Sequence, residues 1–304
     1  MKRFICQIIV YISIIIVLDI IFGQGMSYLI NNVKGGDNWR NNYICNSTHE
    51  DVLIFGSSRA FHHYNPQIIA DSLNLSCYNC GQDGNGIILN YGRLLMIRQR
   101  YQPKLIIYDL STSFDYLAND NHKYLGRLKP YYDEKGIKDI FNSVDQTERW
   151  KMLSSMYRYN SSFLQLLSDY FHPLQQVGNN GFRPMKGLLD PMKLRKNKDN
   201  DNTEFMYDTL KINYIHKFIN LCKNTKLIFT YSPMWYGYDS NKLNLIKDIC
   251  HKNNIPFLDF SNNPKYVHNN SLFKDGSHLN EKGANEYTKD LIIEILQYLN
   301  FEKL

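Results

Sequence analysis

Short apolar runs alternate with helical patterns along most of this chain, and that alternation constrains its fold more than any other feature. A short, mainly apolar run is typical of a strand that is buried on both faces. Strands that alternate with helices form a parallel sheet with helices on both of its sides. Five such runs are present: Val52 to Phe55, Ser76 to Asn79, Leu105 to Leu110, Leu227 to Tyr231 and Pro256 to Phe260. We therefore predict an α/β fold, a three-layer α/β/α sandwich around a five-stranded parallel sheet.

Apolar residues at helical spacing predict helices between these strands and after the last one. Asn65 and Pro66 offer an N-cap and a first-turn proline for a helix that ends at Leu73. A second pattern begins at Ile87, and Pro103 stops it. Three more helical patterns follow later in the chain: Ile212 to Ile219, Leu243 to Ile249 and Glu281 to Leu299.

One long stretch does not alternate in this way. About a hundred residues, from Ser111 to roughly Glu204, separate the third strand from the next helix. That length is far beyond an ordinary connecting loop, so we predict a mostly helical insertion at about 111–204. The insertion ends in a charged run over 183–204 that we expect to be solvated. Its helical pieces are Ile137 to Phe141, Trp150 to Tyr157 and Phe163 to Phe171.

The first residues of the chain are strongly apolar. From Phe4 to Phe22, sixteen of nineteen side chains are apolar or Tyr. At helical rise this run is roughly 28 Å long, enough to cross the core of a bilayer. Lys2 and Arg3 precede it, which favours a cytoplasmic N-terminus and a chain that continues on the extracytoplasmic, periplasmic side of the cell membrane. We predict a single-pass N-terminal transmembrane helix, and a cleaved signal peptide remains the alternative.

The chain therefore divides into three parts: an N-terminal membrane anchor or uncleaved signal at 1–29, a polar linker at 30–50 and a domain at 51–304. Apolar residues make up 43% of the chain, which is ample for a packed core and excludes a disordered protein. A mean hydropathy of −0.42 excludes several membrane spans. The 35 Lys and Arg against 29 Asp and Glu form no basic domain, so nucleic acid is not an expected partner.

Ser57 and Ser58 follow the first predicted strand, within the motif Phe55-Gly56-Ser57-Ser58-Arg59. A hydroxyl at this point is exposed at the carboxyl end of a parallel sheet. The backbone N–H groups that follow it can stabilise an oxyanion. Taken alone, the same serines could merely cap the next helix.

A second motif, Asp275-Gly276-Ser277-His278, comes just before the last predicted helix. An Asp three residues ahead of a His on a tight loop can orient the imidazole and stabilise its charged form. Taken alone, this motif is also compatible with a surface turn in which Asp275 caps a helix.

Together these two motifs resemble the SGNH/GDSL hydrolase family, and the resemblance covers residues 51–299 apart from the insertion. It implies a flavodoxin-like SGNH fold in which Ser58, rather than Ser57, is the nucleophile. His278 would be the general base and Asp275 would orient it. A third block, Asn79 to Gly84, follows the second strand, and by the same resemblance the backbone N–H groups of Ser58 and Gly84 would form an oxyanion hole. The resemblance implies no metal and no cofactor.

The chain departs from the family pattern in two places. The family's Asn after the third strand is missing, and Ser113 aligns best with it as a further oxyanion-hole donor. The first motif reads Gly-Ser-Ser-Arg instead of Gly-Asp-Ser. These departures resemble divergent, membrane-anchored members that act in acyl modification of bacterial cell-envelope polymers.

The resemblance implies a serine esterase or O-acyltransferase that acts on acyl, in particular acetyl, esters of cell-envelope polysaccharide. Expected partners are an acylated envelope glycan or small ester, the membrane, and a membrane-bound acyl-transfer protein. The alternative is a catalytically inactive glycan-binding or assembly component with the same fold, for which the missing Asn is the main support.

Three further residues near these motifs invite interpretation. Arg59 directly follows the predicted nucleophile, where it could bind an anionic group of the substrate. It could equally pair with a carboxylate such as Asp83 or Asp115. No metal-ligand spacing accompanies His62 and His63, so we expect these two to be surface residues.

Overall fold

A five-stranded parallel sheet forms the centre of the computed structural model, which describes residues 1–160, 162–173, 179–194 and 206–298. The strand order is β2-β1-β3-β4-β5, the order of the flavodoxin-like fold. The predicted α/β architecture is therefore confirmed. The strands are β1 Val52–Gly56, β2 Cys77–Asn79, β3 Leu105–Asp109, β4 Lys226–Tyr231 and β5 Phe257–Asp259.

Helices cover both faces of the sheet and make three layers. Side chains alternate along each strand, so neighbours such as Ile54 and Phe55 enter opposite cores. The α-helices are α1 Lys2–Asn32, α2 Gly36–Asn46, α3 Ser58–His63, α4 Pro66–Leu73, α5 Ile87–Arg98, α6 Thr112–Asp115, α7 Ile137–Val144, α8 Glu148–Lys151, α9 Ser155–Tyr159, α10 Phe163–Phe171, α11 Thr209–Leu221, α12 Asn244–Lys252 and α13 Glu281–Tyr298. One core packs against α5, α11 and α12, and the other against α4 and α13.

The register of the sheet brings the predicted motifs together at the carboxyl end of its strands. Gly56 at the end of β1 pairs with Asp109 at the end of β3, and Asp109 pairs with Thr230 of β4. Because parallel strands end at the same side, the loops that follow these strands share one surface. The first motif and the loop that precedes α13 both lie there.

The insertion forms α6 to α10 and several short turns of helix. The predicted helix Trp150 to Tyr157 is instead two helices, α8 and α9. The break falls at Ser154, whose hydroxyl accepts a hydrogen bond from Tyr157 N and so caps the start of α9. Residues 195–204 of the charged run predicted over 183–204 lie outside the described residues, as does Leu299 of the last helix.

The segment 30–50, which we predicted as a polar linker, is largely helical. It contains the end of α1 and the whole of α2. Ile44 and Cys45 of α2 enter the main core, and the buried Arg40 donates to the backbone carbonyl of Asn79 at 2.6 Å. Arg40 also donates to the carbonyl of Gly181, and Asn41 donates to the carbonyl of Arg127 at 3.0 Å, so polar side chains of α2 find partners inside the protein.

The helix α1 is long and apolar enough to cross a membrane, with a mean hydropathy of 2.7 over its most apolar 18-residue window. A signal sequence has the same properties. Its first turns stand away from the rest of the chain, whereas Met26 and Ile30 are buried against the insertion. The division into an anchor and a domain at 51–304 stays a prediction.

Candidate active site

The nucleophile candidate Ser58 is the first residue of α3, directly after β1. The turn between them depends on Gly56, which has a φ of 139°. A Cβ atom at Gly56 would overlap the carbonyl oxygen of Asp109 in the neighbouring strand. Only glycine therefore allows the chain to turn so closely against β3 and to present Ser58 at the carboxyl end of the sheet.

His278 links Ser58 to Asp275. The Ser58 Oγ lies 2.8 Å from His278 Nε2, and both carboxylate oxygens of Asp275 lie 3.0 Å from His278 Nδ1. A carboxylate only accepts hydrogen bonds, so Nδ1 carries the proton and Nε2 is free to accept from the Ser58 hydroxyl. We call these three residues the open cluster, because they meet solvent.

The loop itself fixes the orientation of Asp275. Its Oδ1 accepts hydrogen bonds from the backbone N–H groups of Ser277 and His278, at 2.8 and 2.9 Å. Burial raises the pKa of Asp275, but hydrogen bonds and charge from His278, together with these N–H groups, outweigh burial and hold the pKa below its ordinary value. Asp275 is thus ionised and able to stabilise a protonated His278.

A cleft with a volume of about 520 Å³ opens above this cluster. It can admit a substrate of sugar size. Its lining combines the serine and histidine of the cluster with aromatic and apolar side chains: Phe114, Leu117, Tyr231, Met234, Tyr236 and Tyr238.

The two residues expected beside Ser58 in the oxyanion hole lie in different surroundings. Ser113 lines the cleft together with Ser58 and His278. Gly84 is exposed in the loop after β2, with a φ of 65°, and is not among the described residues that line the cleft. The structure therefore places Ser113, but not Gly84, among the described residues that line the cleft.

Buried groups hold the loop that presents Ser113. Asp115 accepts from the backbone N–H of Ser111 at 2.6 Å and from the Tyr108 hydroxyl at 2.7 Å, and burial raises its pKa to about 7. The Lys211 ammonium donates to the carbonyl of Leu117 at 2.6 Å, and burial lowers its pKa to about 8. Sequence reasoning missed both residues, since nothing in their local pattern marks them.

Arg59 is among the residues that line the cleft, but it is only 6% exposed. Its side chain is buried over the ring of Tyr231, and its guanidinium donates to the backbone carbonyls of Leu110 and Ser232. The carboxylate that faces it is Asp109, 3.8 Å from Nε. Arg59 thus faces a carboxylate, as the second interpretation expected, but that carboxylate is Asp109 and not Asp83 or Asp115. Its role in substrate binding stays a prediction.

His62 and His63 are buried, so the expectation that they are surface residues is wrong. His62 lies between the carboxylate of Asp83, at 2.9 Å, and the backbone carbonyl of Arg183, at 2.6 Å. Its ring meets that of His278 edge-on, with centroids 5.7 Å apart. The spacing of helix α3 explains this position, because His62 lies one turn after Ser58 on the same face.

His63 belongs to a second Ser–His–Asp group, which we call the sealed cluster: His63, Ser232 and Asp109. His63 Nδ1 lies 3.1 Å from the Ser232 hydroxyl, which donates to Asp109 Oδ2 at 2.9 Å. The other ring nitrogen of His63, Nε2, accepts a hydrogen bond from the backbone N–H of Leu279, next to His278, at 3.0 Å. Burial, with the charges of His278 and Arg59, keeps the pKa of His63 well below its ordinary value, so it is neutral.

One group of described residues has donor types that suit a metal ion: His122, Asp145 and Glu148. The ammonium of Lys151 lies 3.4 Å from Asp145 and 2.8 Å from Glu148. One ammonium therefore already contacts both carboxylates and would compete with a metal ion for them, so these residues do not fit a metal site well.

Comparison with known proteins gives little beyond this geometry. No protein-family model matches the chain, and no curated protein matches it. Among solved structures, the fold is similar to that of an acetyl xylan esterase from the rumen bacterium Butyrivibrio proteoclasticus, at 12% sequence identity and a TM-score of 0.37. The match covers 82% of this chain and 64% of that chain, so it spans just under two thirds of the esterase. This is a distant likeness of fold alone.

Proposed function

We propose that the chain is a serine esterase or O-acyltransferase of the SGNH type. The observation that supports this most directly is the continuous hydrogen-bonded path from Ser58 through His278 to Asp275, with 2.8 Å between the hydroxyl and Nε2. That distance suits proton transfer and argues against the alternative of an inactive binding protein. His278 would take the proton of Ser58 as its oxygen attacks an ester carbonyl, and Asp275 would stabilise the resulting imidazolium.

The tetrahedral oxyanion needs hydrogen-bond donors beside Ser58. We assign the backbone N–H of Ser58, at the start of α3, and the hydroxyl of Ser113 as these donors. The N–H of Gly84, which does not line the cleft, is proposed as a donor from the resemblance alone. His278 would then return its proton to the leaving alcohol. Attack of water on the acyl-enzyme completes hydrolysis, and attack of a sugar hydroxyl completes transfer.

We further propose that the substrate is an acyl ester, in particular an acetyl ester, of a cell-envelope polysaccharide. Aromatic side chains such as Tyr236 and Tyr238 line the cleft, and such rings favour stacking on sugars. The apolar helix α1 would hold the domain at the extracytoplasmic face of the membrane, where such polymers and a membrane-bound acyl-transfer partner occur.

The test is hydrolysis of an aryl acetate by the full-length protein in detergent. We expect Ser58→Ala to abolish hydrolysis. Ser76→Ala, which lies just before the amino end of β2 and so at the other end of the strands, should leave the rate of hydrolysis unchanged. A fluorophosphonate should modify Ser58 and leave its neighbour Ser57 unmodified, as peptide mass spectrometry can determine. Unchanged hydrolysis by Ser58→Ala would refute the assignment.

A further inference from the structure

Exposed apolar side chains lie in and just before α9 and α10, the two helices of the insertion that contact α1. Trp150, Leu153, Met156 and Leu164 of the insertion are 63, 72, 59 and 77% exposed. Single exposed apolar residues are ordinary on a soluble surface, but a group of large ones at one level is not. A bilayer is the one environment in which such a group is stabilised without a protein partner.

Contacts with α1 fix the height of this group. Asp19 accepts hydrogen bonds from the Ser154 hydroxyl at 2.9 Å and from the backbone N–H groups of Ser155 and Met156 at 2.7 and 2.9 Å. A Cβ atom at Gly23 would overlap the side chain of Ser155, so the two helices lie in close contact. The start of α9 is therefore joined to α1 within the last turns of its apolar run.

The helix α10 meets α1 at the same level. The rings of Phe163 and Phe22 lie 5.7 Å apart between centroids, and Leu164 follows Phe163 directly. Because each residue of a helix rises about 1.5 Å, Asp19 and Phe22 are only about 4.5 Å apart along the axis. Both contacts thus lie where a span over Phe4 to Phe22 would leave the hydrocarbon core.

We propose that Trp150, Leu153, Met156 and Leu164 form a membrane-contacting patch that lies in the interfacial layer of the bilayer crossed by α1. The proposal rests on the membrane span of the proposed function. Trp is enriched at this depth, where its ring is apolar and its N–H reaches water. The Arg149 guanidinium lies 4.9 Å from the centroid of the Trp150 ring and suits an anionic headgroup. The domain would then contact the membrane at two points, through α1 and through the insertion, instead of through α1 alone.

The test is fluorescence quenching by phospholipids brominated near the headgroup, with the full chain in vesicles of phosphatidylcholine and phosphatidylglycerol. Trp150 is the sole tryptophan in Trp39→Phe/Trp235→Phe, and Trp235 is the sole one in Trp39→Phe/Trp150→Phe. We expect Trp150 emission to fall by about a half, as for a ring at headgroup level, and Trp235 emission to stay unchanged. Equal quenching of the two tryptophans, or none of Trp150, overturns the proposal.

Two further measurements separate failure of the patch from failure of the span. Val17→Trp in a background with the three tryptophans changed to Phe reports α1, and bromines deep in the bilayer should quench it. Quenching there without quenching of Trp150 refutes the patch and keeps the span, whereas quenching of neither refutes both. In the unmodified chain, a photoreactive lipid should label residues 150–156, and crosslinks of these residues to a second copy instead of to lipid would overturn the proposal.

Discussion

Two Ser–His–Asp clusters lie side by side at the carboxyl end of the sheet, and only one of them meets solvent. The rings of His278 and His63 are 6.2 Å apart between centroids. His278 of the open cluster has 22% of its side chain exposed, whereas His63 of the sealed cluster has none. The same residue types thus serve different ends, because access to substrate and not composition decides which cluster can react.

The order of the hydrogen bonds also differs. In the open cluster the histidine lies between serine and carboxylate, so it can take the proton of Ser58. In the sealed cluster Ser232 lies in the middle, and its hydroxyl donates a hydrogen bond to Asp109. His63 Nε2 already accepts a hydrogen bond from the backbone N–H of Leu279. The sealed cluster therefore has no free base and no free nucleophile, and its role is to position the strand ends and the loop of His278.

The largest expected difference between the two clusters is a loss of activity when the carboxylate of the open cluster is replaced. Asp275→Asn should lower kcat by about 10⁴-fold, because an amide favours the wrong tautomer of His278. The unfolding midpoint should change little, since Asp275 is half exposed. Aryl acetate hydrolysis and urea unfolding measure the two quantities. Asp259→Asn, a carboxylate change outside the cluster, is the control, and an equal loss of activity in that variant would break the comparison.

The second largest expected effect is a loss of stability when Arg59, which faces the sealed cluster, is replaced. Arg59→Met removes the guanidinium that faces Asp109 and leaves a buried carboxylate without a cation. We expect a loss of about 3–5 kcal/mol in the free energy of unfolding. The double variant Arg59→Met/Asp109→Asn should recover most of this loss, because no buried charge then remains unpaired. A full loss in the double variant would mean that packing of Arg59 on Tyr231 or its hydrogen bonds to the carbonyls of Leu110 and Ser232, and not its charge, are responsible.

A smaller effect concerns the donors that only the open cluster requires. Ser113→Ala should lower kcat by about 10²-fold with little change in KM, as for the removal of one oxyanion-hole donor. Ser111→Ala, two residues earlier on the same loop, is the matched control. If Ser111→Ala costs more than Ser113→Ala, the hydroxyl donor has been assigned to the wrong serine.

The same contrast explains what could be read from the sequence. The five strands could be predicted because a buried strand is a local pattern. The open cluster could be predicted because its two motifs, each weak alone, together resemble a known family. The sealed cluster could not, since Asp109 ends β3 whereas His63 and Ser232 come after β1 and β4, and the three meet only through the register of the sheet. For the same reason α2 was taken for a linker, because the partners that bury Arg40 come from distant segments. The apolar helix α1 could be predicted from composition, but its contact with Ser154 could not.

The smallest expected effect tests the one hydrogen bond that joins the sealed cluster to the open one. His63→Phe keeps a ring of similar size but leaves the buried N–H of Leu279 without an acceptor, which should cost about 1–3 kcal/mol of stability. Since Leu279 adjoins His278, we also expect a fall in kcat of about tenfold without a change in KM.

The pH dependence of stability distinguishes this role of His63 from a merely structural one. His63 is neutral in the folded state because its pKa lies well below the ordinary 6.5, whereas the unfolded chain binds a proton below that pH. The folded state therefore loses stability as the pH falls below about 6.5, by up to about 1.4 kcal/mol per pH unit for this one proton. His63→Phe should remove that slope and leave the shape of the pH–activity profile unchanged, since only the histidine of the open cluster reacts. Urea unfolding at pH 5 to 8 measures the slope, and an acid limb of activity that shifts in this variant would show that the sealed cluster takes part in the chemistry.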